Sequence, residues 1–290
     1  MENSHSQTYS LRQLASQRKR QPRQLSRAVS ITSGKGGVGK SNIAINLGLA
    51  LQDMGKNVTI LDADLGLANV DVLLGKKPLY NINHVIEGEK KISEVIMEVQ
   101  NGLKIIPASS GIEKLANLEQ EKMDQFIHDL KEVEKNVDFF LIDTAAGITQ
   151  EVLGFLTSSN EIIVVTTGEP TAITDAYAII KSIHHKKTQA AIRIIVNMCK
   201  TDEEAEKIFS RIHAVSQRFL SRKLDFLGGI PYDEAVSLSV RAQKPFIALH
   251  PRCRASVSIR MIAKKILENR TYKNTGTLQD FFNNIKGFLS

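Results

Sequence analysis

The chain has 290 residues, a formal net charge of +7 and 42% hydrophobic residues, enough apolar material for one large core or two small ones. It has no run of about 20 apolar residues and no apolar stretch after its basic start, so neither a transmembrane helix nor a secretory leader is expected. Cys199 and Cys253 stand far apart and form no C-x-x-C, which argues against a metal cluster or a disulfide framework and for a reducing cytoplasm.

In chain order, residues 1–27 come first as a basic arm: Arg12, Arg18, Lys19, Arg20, Arg23 and Arg27 face Glu2 alone, a net of +5. Such an arm suits an acidic partner such as lipid, nucleic acid or an acidic protein surface, and a solvated tail is the other reading. A strand is predicted over Ala28–Ser33, followed by Gly34-Lys35-Gly36-Gly37-Val38-Gly39-Lys40-Ser41 and a helix from Lys40 to about Met54. Strand, glycine-rich turn and helix are the frame of a phosphate-binding loop. Its backbone N–H groups and the positive end of the helix hold a polyphosphate, Lys40 reaches the β- and γ-phosphates, and the Ser41 hydroxyl ligates Mg²⁺. A strand over Asn57–Asp62 ends in Asp62-Ala63-Asp64. Carboxylates at that edge can organise Mg²⁺ or orient a water, or merely make a turn.

Strands follow at Leu103–Pro107 and Asp138–Asp143, with a helix over Gln120–Lys135 between them. Asp143 closes Phe139-Phe140-Leu141-Ile142, where a buried carboxylate is costly unless a cation relieves it. The tight turn Thr144-Ala145-Ala146-Gly147 could sense the γ-phosphate. Helices are predicted over Thr149–Thr157, Thr171–Ile183, Glu203–Ser221, Glu234–Ala242 and Arg254–Glu268, and strands over Glu161–Thr166, Ile192–Asn197 and Asp225–Pro231. The strands are nearly continuous apolar runs, as in parallel strands buried on both faces. The expected fold is therefore α/β, a mostly parallel, doubly wound sheet, with ligands outside the carboxyl ends of the strands.

After a polar stretch, Leu278, Phe281, Phe282, Ile285, Phe288 and Leu289 line one face of a terminal helix that Thr277 can cap. It could lie in a membrane interface or fold back on the body. Its charges, Asp280 and Lys286, do not make the basic polar face that strengthens lipid binding. The adjacent His184 and His185 lack ligand spacing, so no metal but Mg²⁺ is expected.

The second lysine in the loop, Lys35, makes the chain resemble the deviant Walker A ATPases that include MinD and ParA, P-loop NTPases of MinD-like fold. The resemblance implies ATP and Mg²⁺ as ligands and a homodimer with ATP in which Lys35 crosses to the partner's nucleotide. It implies that Gly34, Lys35, Gly36, Gly37, Val38, Gly39, Lys40, Ser41 and Asn42 bind the nucleotide, that Asn197 reads the adenine edge, and that Pro231, Tyr232 and Asp233 form a second base-contacting segment. Catalysis would fall to Asp64, which positions the attacking water, with Lys35 and Lys40; Mg²⁺ would be held by Ser41, Asp143 and, in its outer shell, Asp62. Ala145 stands where the family more often has glycine.

Residues 66–75, Gly-Leu-Ala-Asn-Val-Asp-Val-Leu-Leu-Gly, and 169–177, Glu-Pro-Thr-Ala-Ile-Thr-Asp-Ala-Tyr, are similar to the flagellar-number regulators called FlhG, FleN or YlxH. So, more weakly, is Ser6-Gln7-Thr8-Tyr9-Ser10-Leu11-Arg12, which keeps the glutamine, leucine and arginine of a D-Q-A-x-x-L-R helix but not its acidic and alanine positions. This resemblance implies a switch controlling flagellar number or placement. Its expected partners are the signal-recognition-type GTPase FlhF, and basal-body proteins or a flagellar transcriptional activator. The domains implied are the arm 1–27, an ATPase domain 28–270, and a linker with an amphipathic, membrane-targeting helix, 271–290, whose lipid contacts fall in residues 277–289. The expected location is cytoplasmic, peripheral at the inner face of the cell membrane when ATP-bound, with no specific nucleic-acid partner. The rivals are a DNA-binding partition ATPase, a MinD-type division-site regulator and an iron–sulfur carrier, the last disfavoured by the missing C-x-x-C.

Overall fold

The computed structural model describes residues 26–64, 73–107, 119–268 and 277–289. The arm as far as residue 25, most of the 66–75 segment and the linker 269–276 lie outside the described residues. Eight strands form one sheet: β1 (Arg27–Thr32), β2 (Val58–Ala63), β3 (Met97–Glu98), β4 (Lys104–Pro107), β5 (Phe139–Thr144), β6 (Glu161–Thr166), β7 (Ala191–Cys199) and β8 (Asp225–Pro231). Their order is β3-β4-β2-β5-β1-β6-β7-β8, parallel except for β3, which pairs antiparallel with β4. All seven expected strands form within two residues of their predicted ends. The short β3 at the edge was not foreseen, having too few residues to show a period.

The longer helices are α1 (Lys40–Asp53), α4 (Gln120–Glu134), α5 (Gln150–Ser158), α6 (Pro170–His185), α7 (Asp202–Leu220), α8 (Glu234–Arg241), α10 (Arg254–Glu268) and α11 (Leu278–Leu289). Three single-turn helices, α2 (Ile82–Ile86), α3 (Ile92–Val95) and α9 (Phe246–Leu249), are additions to the sequence reading. Successive strand residues point to opposite faces. Val29, Ile31, Leu141, Ile163 and Ile195 therefore join α1, α9 and α10 in one core. Ala28, Phe140, Ile142, Ile162 and Val164 face the other side, where α4, α5, α6, α7 and α11 pack.

The terminal helix is docked. Leu278, Phe281, Phe282 and Ile285 are all buried. Phe281 and Phe282 meet Phe126, Phe140 and Phe155 at ring-centroid distances of 5.2 to 6.3 Å. Of the two sequence readings, folding back is the one this structure adopts. Each buried phenyl ring is worth about 2–3 kcal/mol, so lifting α11 off needs a compensating surface.

The register matters most for function. Asp143 on β5 lies opposite Ile31 of β1 on one side and Asp62 of β2 on the other. Since the strands are parallel, the loop after β1 and the carboxylates closing β2 and β5 share one end of the sheet.

Candidate functional site

The turn between β1 and α1 is shaped for an anion. Gly37 and Gly39 have φ of 79° and 88°, a region that costs any residue with a Cβ. Gly39 is the N-cap of α1, no side chain satisfies the first amides of that helix, and no acidic residue sits in its first turn. Those unspent N–H groups and the positive helix end face the loop. A Cβ on Gly34 would come within 2.4 Å of the Asp175 backbone, and one on Gly39 within 2.4 Å of Asn197 Nδ2. The loop is clamped from outside as well. Asn197 Nδ2 donates to the Val38 carbonyl at 2.8 Å, Ser33 Oγ donates to the Lys35 carbonyl at 2.9 Å, and the Gly147 N–H donates to the Ser33 carbonyl at 2.9 Å. The last bond ties the turn after β5 to the phosphate loop.

Lys40, Asp143 and Asp64 form the charged centre. Lys40 Nζ donates to Asp143 Oδ1 at 2.9 Å and lies 3.8 Å from Asp64 Oδ2. Lys40 is 7% exposed and Asp143 fully buried. Burial pushes the Asp143 carboxyl up, while the Lys40 ammonium and the neighbouring Ser41 hydroxyl pull the other way without cancelling it. Asp143 Oδ2 is buried with no partner in hydrogen-bonding geometry, and Asp62, also buried, stands level with it on β2. A buried carboxylate oxygen left over beside a serine hydroxyl fits a Mg²⁺ ion. Among the described residues no group of three or more His, Cys, Asp or Glu forms a cage by itself, as expected where phosphate oxygens complete the shell.

Lys35 is elsewhere. Its ammonium pairs with Glu169 Oε2 at 2.6 Å and lies 3.4 Å from Thr171 Oγ1, at the start of α6 on the surface. Sequence reasoning named Lys35 but missed Glu169 and Thr171 as its partners. The glutamate lies 134 positions away, and only its place just before Pro170 at a helix start hinted at a role.

The residues expected at the base divide. Asn197 is 8% exposed and spends its amide on the loop. The Pro231 strand end pairs with Cys199, and the Tyr232 N–H donates to the Cys199 carbonyl at 2.9 Å while its ring stays exposed. Asp233 caps two helices, accepting from the Ala235 N–H at 3.0 Å and the Ala255 N–H at 3.2 Å. Burial pushes its carboxyl up, but the amides of Ala235, Ala255 and Arg254 and the Cys253 thiol outweigh that and hold it below the usual carboxylate range. The Asn42 carbonyl accepts from Asn46 Nδ2 at 2.7 Å, and Asn46 Oδ1 accepts from the Ile247 N–H at 2.9 Å, so the first turns of α1 are anchored in the core.

A family model described as ParA, NUBPL iron-transfer P-loop NTPase, matches residues 24–267. The chain is 40% identical over 238 residues to the antiactivator FleN of Pseudomonas aeruginosa, covering 82% of this chain and 85% of that one. It is 38% identical over 263 residues to the flagellum site-determining protein YlxH of Helicobacter pylori, covering 90% and 87%. Among solved structures, the septum site-determining protein MinD of Pyrococcus horikoshii complexed with Mg-ADP is similar at 25% identity and a TM-score of 0.66, covering 84% of this chain and 97% of that one. MinD in the MinC:MinD complex of Aquifex aeolicus has the same identity and score, with 83% and 96% covered.

Proposed function

Since this chain belongs to the ParA/MinD-type family of P-loop ATPases, we propose that it is a Mg-ATP-driven dimerising switch that sets the number or placement of flagella. The observation that carries the reading is the pairing of a closed Lys40–Asp143–Asp64 centre with a second loop lysine, Lys35, held at the surface.

The chemistry asked of these residues is positioning and charge neutralisation. The α1 amides and Lys40 hold the β- and γ-phosphates, and Lys40 exchanges part of its bond to Asp143 for phosphate oxygen. Asp143, Ser41 and, in its outer shell, Asp62 would hold Mg²⁺, which would neutralise phosphate charge. Asp64 orients the attacking water. Lys35 leaves Glu169 and reaches the partner's phosphates, so a second copy completes the site. Asn197 fixes the loop beneath the base, and the 231–233 turn borders it, with adenine the base favoured by the resemblance. The biological output follows the flagellar relatives: a basal-body protein, a transcriptional activator or the GTPase FlhF is acted on by one nucleotide state. The apolar face of α11 is released in the dimer and enters the inner face of the cell membrane.

Light scattering of the purified chain with ATP and Mg²⁺ tests this. The wild type should double in mass and Lys35→Ala should stay monomeric while still binding ATP. A dimer that forms equally well with Lys35→Ala would remove the trans role. Deletion of the gene should change the number of flagella per cell.

A further inference from the structure

We propose that the end of the molecule opposite the phosphate loop is an anionic-lipid surface, on which Lys186 and Lys187, with Arg218 and Lys223, bind headgroup phosphates beside the apolar residues Phe288 and Phe219. The proposal rests on the reading of α11 as a membrane helix and supplies what that helix lacks, a basic flank. The helix carries Lys286 as its one cation.

Topology puts these groups together. Helices α6 and α7 each run back along parallel strands, so both finish at the end where strands begin. Helix α11 lies across that same end. Its first residue, Leu278, donates its N–H to Glu134 Oε1 at 2.9 Å at the finish of α4, and near its last turn Phe288 lies 4.6 Å below Lys186 Nζ at the finish of α6. Arg222 joins the finish of α7 to the turn after α6 by donating from Nη1 to the Thr188 carbonyl at 3.0 Å, which places Lys223 on the same surface. Lys186, Lys187 and Lys223 are exposed. Phe219, on the last turn of α7 with the Arg218 guanidinium over its ring, is 66% exposed. The basic arm joins at this end too, because β1 begins there and Arg27 Nη1 donates to the Ile266 carbonyl near the finish of α10 at 2.8 Å.

A cation at a helix C-terminus is ordinary, because it answers the negative end of the helix. Residues 176–190, 207–224 and 281–290, three stretches that converge here, contain no Asp or Glu, and acids at the same end are engaged elsewhere: Glu134 accepts from the Leu278 N–H, Asp138 from the Asn57 N–H, and Glu161 pairs with Arg27, while Asp225 opens β8 two residues after Lys223. The acids of α11, by contrast, sit at its other end, where Asp280 accepts from the Thr277 N–H. Apolar rings standing among exposed cations match the boundary of an anionic bilayer, where rings enter the acyl layer and lysines stay with phosphate. A duplex nucleic-acid surface would use the cations and leave the phenyl rings in water.

The test is flotation of the full chain with ATP and Mg²⁺ on vesicles of phosphatidylcholine alone and of phosphatidylcholine with phosphatidylglycerol. Lys186→Gln combined with Lys187→Asn is the variant, asparagine suiting the left-handed backbone at position 187, where φ is 56°. Binding to the anionic vesicles should fall roughly 30-fold, about five-fold per lysine, and fall further with salt. The sign discriminates. If Lys186 only clamps Phe288, its loss frees α11 and binding rises, which overturns the proposal. Equal binding of wild type and variant overturns it as well and leaves the membrane role of α11 standing. Wild type on neither vesicle removes that role itself. Loss of duplex-DNA retention in the variant with vesicle binding unchanged would assign the surface to nucleic acid and overturn the proposal.

Discussion

Lys40 donates to Asp143, and that bond keeps a buried carboxylate tolerable at a cost. Because burial raises the Asp143 carboxyl, its contribution to stability is full below the ordinary carboxylate range and is lost as pH rises through its folded value. Asp143→Asn should therefore reduce the fall in melting temperature between acid and neutral pH relative to the wild type, and it should abolish the rise that Mg²⁺ with ATP produces. Scanning calorimetry across that range, with and without ligands, reads both. Asp64 differs in being partly exposed at 3.8 Å from Lys40. Asp64→Ala should bind ATP and accumulate as dimer while turnover falls about 10²- to 10⁴-fold, the usual range for a group that handles the attacking water; rapid phosphate release by this variant would unseat it. At Gly39 an alanine meets both a φ of 88° and Asn197 Nδ2 at 2.4 Å. That variant should lose nucleotide binding by calorimetric titration and cost about 1–3 kcal/mol of stability.

Among the elements, α11 is the one whose sequence supported two fates. Its stripe is apolar enough for an interface and aromatic enough for a core, and the body offers Phe126, Phe140 and Phe155 to receive it. Phe282→Ala should destabilise the monomer by about 3–5 kcal/mol, as large-to-small changes in aromatic cores do, read from urea unfolding. An unaffected midpoint would mean that the helix is already loose in solution. The loop and α1 behave as one rigid element, since Asn46 and Asn197 fix them from the core side. The Lys35 side chain is the complementary movable part, because an exposed ion pair holds it to the start of α6, and such pairs are weak.

At the level of the whole molecule the ends differ in task. The carboxyl ends of the strands gather the loop, Asp62, Asp64 and Asp143, and the other end gathers the finish of α6 and α7, the last turn of α11 and the exposed Lys186, Lys187 and Lys223. If a second copy completes the site, specific ATPase activity should rise with protein concentration and then level off, while Lys35→Ala stays low and flat across the same range. A concentration-independent wild type would mean that each chain works alone.

The order of strands and helices, the phosphate loop and the two aspartate-bearing strand ends were legible in the sequence, because glycine spacing and apolar periodicity are local properties that survive without a partner. Residues 76–102 were not: α2, α3 and β3 are too short to show a period and form only because Ile82, Val85, Ile92 and Val95 are buried against α4. The Lys35–Glu169 pair and the Asn197 bond to Val38 join positions 134 and 159 apart, separations that no local pattern encodes. The sequence determined the phosphate-binding loop and the P-loop ATPase family of this chain. Which lysine faces inward, which carboxylate oxygen is left over, and that the terminal phenyl rings rest on the body were decided only when the parallel sheet brought distant strand ends to one level.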